Sequence, residues 1–248
     1  MWLDVVKQQD ARRGWKTVPW TGQSVAELRR QMTATHATGI DLRGGPDADV
    51  SWLPSIPGLL WIMSMDPLRN DDAVWDVWTL EAAMLANTSR APARFDRLPA
   101  IRSMQLDWRK GLATASNHPS LEELTVWRVA DKDLSWLRAG ETLWQLNLVA
   151  RRSKAVLDIA GADLRGVKAL TLDGVRAGDV SALRTATQLE GLGLDGVSLL
   201  SASARDDLLE ALAAMPHLRQ VVMYVCTGVT RDEVREVLTD QVALTFTP

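Results

Sequence analysis

The tetrapeptide Leu172-Asp173-Gly174-Val175 returns 22 residues later as Leu194-Asp195-Gly196-Val197, and this internal repeat constrains the fold more than any local propensity does. A second signature, Asp-(Val/Leu)-Ser-(Trp/Ala)-Leu, runs from Asp49 to Leu53, from Asp133 to Leu137 and from Asp179 to Leu183. Both keep one phase. An apolar residue (Leu42, Val126, Leu172) stands seven before each Asp, and a Leu (Leu59, Leu143, Leu189) stands ten after it. That Leu opens an L-x-x-L-x-L run: Leu121, Leu124, Val126; Leu143, Leu146, Leu148; Val167, Leu170, Leu172; Leu189, Leu192, Leu194; Leu218, Val221, Met223. Extrapolated backwards, the series continues through Ile101, Met104, Leu106, then Leu80, Ala83, Leu85, then Leu59, Ile62, Ser64, and ends at Ala37, Ile40, Leu42. Successive starts lie 20 to 29 residues apart, so each unit is too small to bury its own apolar face and must stack on its neighbours.

These motifs resemble the leucine-rich repeat family, and the D-V-S-x-L segment looks like its short, internalin-type class. The resemblance covers residues 37 to 246 and implies an α/β solenoid, a horseshoe with a parallel β-sheet on its concave face. One departure stands out. The Asn that ends each strand motif in the family is replaced here by Arg109, Val129, Arg151, Val175 and Val197, with only Cys226 fitting the slot. Something other than an asparagine ladder must satisfy the turns.

Residues 1–35 are expected to form a helical N-terminal cap, with Ser24 starting a helix that runs to about Met32, and residues 36–248 to form one continuous solenoid. Between 64 and 100 a helix from Asp71 to Asn87 competes with the repeat, because Val74, Val77, Trp78, Met84 and Leu85 fit a helical stripe. The constant spacing of Leu59, Leu80 and Ile101 favours the repeat. Helices are expected from Ala204 to Met215, capped by Ser203, and from the capping box Thr230-Arg231-Asp232-Glu233, before a last strand at Leu244-Thr245-Phe246.

In an L-x-x-L-x-L strand the Leu positions point into the core and the alternating positions point out of the sheet. The outward positions include Trp61, Met63, Met65, Met84, Gln105, Asp107, Glu123, Trp127 and Tyr224, with Trp108 and Arg128 just beyond their strands. There are 11 Trp, all at or before Trp144, so the N-terminal half of the face is aromatic and Met-rich. Large apolar groups at solvent-facing positions mark binding surfaces. The candidate partner-binding set is therefore Trp61, Met63, Met84, Gln105, Asp107, Trp108, Glu123, Trp127, Arg128 and Tyr224, with the main contact expected on the N-terminal half. A register slip of one residue would put Trp61, Met63 and Met65 in the core instead, and Ser64 is a poor inward residue. Asp41, Asp66, Asp107, Glu123, Asp173 and Asp195 against Arg43 and Arg128 suggest an acidic rim suited to a basic partner. Asp173 and Asp195, each before Gly, also read as turn residues. Trp52 and Trp136 are expected to pack on the convex side.

Little in the chain points to catalysis. Net charge is -3, which removes the positive field that non-specific nucleic-acid binding requires, and no apolar run suggests a membrane span. His36, His118 and His217 match neither a zinc site nor a triad, and the glycines recur with the repeat rather than forming a phosphate loop. Asp71-Asp72 and Asp206-Asp207 read as helix starts, Cys226 as a packed thiol, and Arg151-Arg152 with Lys154 as a solvated loop. The expectation is a non-enzymatic, cofactor-free protein-binding module, monomeric when unbound and cytoplasmic, acting as a bacterial inhibitor or immunity-type protein. The competing expectation is a scaffold or recognition module of a larger complex.

Overall fold

All nine L-x-x-L-x-L runs become strands, each beginning two residues after the first apolar position of its run. The computed structural model describes residues 14–86, 91–129, 134–150 and 156–247. The described residues fall into two units, those up to 111 and those from 112 on.

In the first unit β1 (Thr17–Trp20), β2 (Gly39–Leu42), β3 (Trp61–Ser64), β4 (Ala82–Leu85) and β5 (Ser103–Asp107) pair in parallel, in chain order. Pairing is in register with the repeat: Ile40, Ile62, Ala83 and Met104 align, and all four are fully buried. Short 3-10 turns at Leu53–Ser55, Asp71–Asp76 and Phe95–Arg97 return the chain to the next strand. They bury Leu53, Val74, Trp75 and Phe95, with the Trp75 and Phe95 rings 5.5 Å apart. The helix considered between Asp71 and Asn87 is thus one 3-10 turn followed by a strand, since the constant spacing leaves no room for a long helix. Residues 87–90 lie outside the described set.

β1 was not expected. Its Val18 and Trp20 alternate inward with exposed Thr17 and Pro19, a strand pattern inside the segment assigned to a helical cap. The helix itself, α1 (Val25–Thr35), is capped by Ser24, whose hydroxyl accepts the Glu27 N–H at 3.2 Å, and ends at His36 in the left-handed conformation.

In the second unit β6 (Glu123–Trp127), β7 (Gln145–Val149), β8 (Ala169–Asp173), β9 (Gly191–Asp195), β10 (Gln220–Tyr224) and β11 (Ala243–Thr247) pair in parallel. A second ladder joins Val156–Asp158, Arg176–Asp179 and Ser198–Leu199. α2 (Ala202–Ala214) packs on the 3-10 turn Ser181–Thr185 and on α3 (Arg231–Val237). The cap of α2 is Ser201, not Ser203: its hydroxyl accepts the Ala204 N–H at 3.0 Å, and Ser203 already lies within the helix. α3 starts at the expected capping box of Thr230 and Glu233. Among the described residues no helix is long and apolar enough to cross a membrane.

The D-x-S signature has a local cause. Asp49 accepts the Ser51 N–H at 2.9 Å and Asp179 accepts that of Ser181 at 2.7 Å, so each Asp side chain closes the turn that begins the return path. Asp133 and the basic cluster at Arg151, Arg152 and Lys154 lie outside the described residues. The family's Asn slot is filled by Val129, Val175 and Val197, all buried, and by Arg109, whose Nη1 donates to Asp71 at 3.0 Å in an ion pair withdrawn from solvent. Asp71 is therefore an anchor in the core as well as the start of a turn.

Candidate protein-binding face

The outward positions form ordered rows. In the first unit Asp41, Met63, Met84 and Gln105 stand side by side across β2 to β5. In the second unit one row runs Glu123, Gln145, Ala169, Gly191, Gln220, and another runs Trp127, Val149, Asp173, Asp195, Tyr224. The register question at Trp61 is answered by Ser64. It does point inward, fully buried, with its hydroxyl donating to the Asp66 carbonyl at 2.9 Å, so Trp61 and Met63 lie on the outward face.

Outward does not mean exposed. Trp61 is only 4% exposed, because it lies over Gly39 and is covered on its other side by Trp15, stacked at 5.6 Å with ring planes 13° apart. Its indole N–H finds no acceptor among the described residues. Met84, Gln105 and Asp107 are buried as well, and Met63 and Trp108 are half-buried. The expectation that Trp61, Met84, Gln105 and Asp107 present free contact area is thus corrected: side chains from adjacent strands shield one another, and Trp15 was not counted among them. The large apolar groups left open in this unit lie elsewhere. Trp78 is 71% exposed before β4, and Met65 is 59% exposed just after β3. A short Val18/Trp20 alternation ahead of a Thr-Gly turn was the available signal for β1 and for the packing of Trp15.

In the second unit Glu123 and Trp127 are half-buried, Arg128 is exposed, and Tyr224 is 41% exposed. Arg128 has φ 55° and Val225 φ 51°, the left-handed conformation that Gly174 and Gly196 adopt at the same place after their strands. At Arg128 and Val225 this conformation turns the side chain after the strand outward, and the same backbone need accounts for the glycine of the L-D-G-V repeat. Between Trp127 and Tyr224 the row carries Val149 and Asp173, both buried, and half-buried Asp195. In the neighbouring row Asn147 donates its Nδ2 to Thr125 Oγ1 at 3.0 Å.

The acidic rim is weaker than residue counting suggests. Arg43 folds back onto Asp41, donating Nε to Oδ2 at 2.6 Å, and Asp107 and Asp173 are buried. Asp66, Glu123 and Asp195 remain half-open. Cys226 is half-buried with its thiol 3.4 Å from the Leu194 carbonyl, and burial pushes its pKa up. Trp52 packs against Trp20 at 5.1 Å and donates its indole N–H to the Asp49 carbonyl, on the return path as expected, and Trp136 is half-buried. Among the described residues no group of three or more His, Cys, Asp or Glu side chains is placed to hold a metal ion.

No protein-family model matches the chain, and neither does any curated protein sequence. Solved structures do. An internalin of Listeria monocytogenes, inlF, superposes with a TM-score of 0.64 at 15% identity, over 88% of this chain and 63% of that one. Internalin C2 of the same species superposes with a TM-score of 0.51 at 13% identity, over 92% of this chain and 88% of that one. The fold is the leucine-rich repeat. This chain spans less than two thirds of the inlF chain.

Proposed function

We propose that this leucine-rich repeat chain is a non-catalytic binding protein that engages another protein through the outward face of its strands. The observation that carries the reading is the Trp127 to Tyr224 row in residues 112–248. A half-buried Trp and an open Tyr stand at its ends, with exposed Arg128 beside the first, three residue types that dominate binding energy at interfaces. The sheet is already ordered, so little conformational entropy is lost on docking.

Within that reading the role is that of a cytoplasmic bacterial inhibitor of the immunity type. The support is compositional: Arg outnumbers Lys 22 to 6, a bias of high-GC bacterial genomes.

Pull-down from cells of the source organism, followed by calorimetry on any stoichiometric partner, tests the face. Trp127→Ala and Tyr224→Ala probe the second unit, and Trp108→Ala probes the first, each after circular dichroism shows that the variant is folded. Unchanged affinity in the Trp127→Ala/Tyr224→Ala variant overturns the assignment of the face. A partner whose toxicity to growing cells is the same with and without this chain overturns the inhibitor role.

A further inference from the structure

The strand β11 is left half covered. Every other strand of residues 112–248 has its inward residues buried, Val221 and Met223 of adjacent β10 among them, whereas Leu244 and Phe246 of β11 stay half-open. β11 pairs with β10 alone. The Ala243 N–H donates to the Arg219 carbonyl and the Thr247 carbonyl accepts from Val225, so alternation turns the peptide groups of 243, 245 and 247 toward β10. Those of Leu244 and Phe246 point the other way and have no partner among the described residues. The edge strand β1 of the first unit is guarded differently: Pro19 removes an N–H, and Val18 and Trp20 are buried with α1 packed against them. β11, with sequence Ala-Leu-Thr-Phe-Thr, has no charge, proline or bulge to block pairing.

We propose that the chain self-associates about a two-fold axis, β11 pairing antiparallel with β11 of a second copy, centred on Thr245. The occupant follows from the strand's own pattern. In this register Leu244 lies opposite Phe246 of the second copy and the reverse, and these are the residues whose N–H and C=O groups face outward. Both pairs are therefore of the hydrogen-bonded kind, giving four bonds, and each sets an aliphatic side chain against an aromatic one on the core side. On the open face Thr245 meets Thr245, with Ala243 opposite Thr247, so no like charges oppose each other. The nearest acid, Asp240, is held by Arg235 at 3.0 Å. Four hydrogen bonds and two Leu–Phe contacts make a small interface, so the association is weak and concentration-dependent. This state replaces the monomer expected from sequence and does not use the Trp127 to Tyr224 row.

Sedimentation velocity over a dilution series reads it directly. Wild type is expected to move from the mass of one 27.4 kDa chain toward twice that mass as concentration rises. Thr245 is exposed and its side chain leaves the core, so Thr245→Lys and Thr245→Glu keep the fold, and each places two like charges at the centre of the pair, where side chains come closest. Each variant alone is expected to lose the dimer. Their one-to-one mixture is expected to regain it as a heterodimer that weakens with salt. In hydrogen exchange the Leu244 and Phe246 amides are slower in concentrated wild type than in Thr245→Lys. A wild type that stays at the mass of one chain up to its solubility limit overturns the proposal, as does a Thr245→Lys variant that dimerises like wild type. A mixture of the two variants that remains monomeric overturns the antiparallel register.

Discussion

Replacing Asp71 by Ala removes the carboxylate that pairs with the Arg109 guanidinium, and the cost follows from where the pair sits. The two side chains are 1% and 5% exposed, and Nη1 lies 3.0 Å from Oδ2. Arginine cannot shed its proton, so Asp71→Ala breaks a buried ion pair by removing one of its two charges, at a cost of about 3–5 kcal/mol. Against a total stability on the order of 5–15 kcal/mol that is a large fraction. The pair itself is worth far less than this, because both charges were taken out of water to form it. Asp71→Leu combined with Arg109→Met removes charge and desolvation together and is expected within about 1 kcal/mol of wild type. Urea unfolding followed by tryptophan fluorescence is read on wild type, on Asp71→Ala, and on Asp71→Leu, Arg109→Met and their double variant, which close a cycle. If Asp71→Ala costs less than about 1 kcal/mol, or if the double variant is no more stable than Asp71→Ala, the pair does not act as a buried ionic anchor.

Three further outcomes are expected. In Gly39→Ala the new Cβ would stand 2.6 Å from Trp61 Cδ1 and 2.7 Å from Thr17 Cγ2, so the Trp15–Trp61 stack must shift, at a cost of about 1–3 kcal/mol and with a changed near-ultraviolet dichroism spectrum. Asp49 is held down to a pKa of about 2 from 3.8, first by the Ser51 N–H and then by the Asn70 side chain. A carboxylate with a depressed folded pKa stabilises above its unfolded value and loses that contribution as pH falls through the folded one, so wild type weakens between about pH 4 and 2 and Asp49→Asn shows a flatter acid limb in thermal melts. Thr230→Ala breaks the capping box at the start of α3 and should lower stability by about 0.5–2 kcal/mol in the same urea assay.

The rows of the sheet were legible in the sequence because their cause is periodic. A Leu that recurs at a fixed spacing can be buried at every recurrence only if successive coils stack in register, so strand positions, inward residues and outward residues follow together. The glycine of L-D-G-V and the Asp of D-x-S were legible for the same reason, since each coil needs the same turn. What was not legible depends on contacts that occur once. Asp71 and Arg109 meet across 38 positions, and nothing in either local sequence announces it. The cover on Trp61 comes from Trp15, which lies before the first repeat, and from the missing side chain of Gly39. Neither belongs to the period.

This difference moves the candidate site. Counting aromatic residues places the main contact on the N-terminal half, where Trp and Met are frequent. Burial shows what several of them do there: Trp61 and Trp75 are covered, the one by Trp15 and Gly39 and the other beside Phe95, and Met84 is shielded among neighbouring strands. A tryptophan already covered by its own chain has little area left for a partner and contributes to the stability of the stack instead. In the C-terminal half aromatic residues are scarce, but Tyr224 keeps much of its surface, and the residue after its strand, Val225, is turned outward by a left-handed backbone. Binding energy follows area that can still be removed from water, not the number of large side chains. The Trp127 to Tyr224 row therefore carries the functional reading although it holds fewer aromatic residues than the N-terminal face.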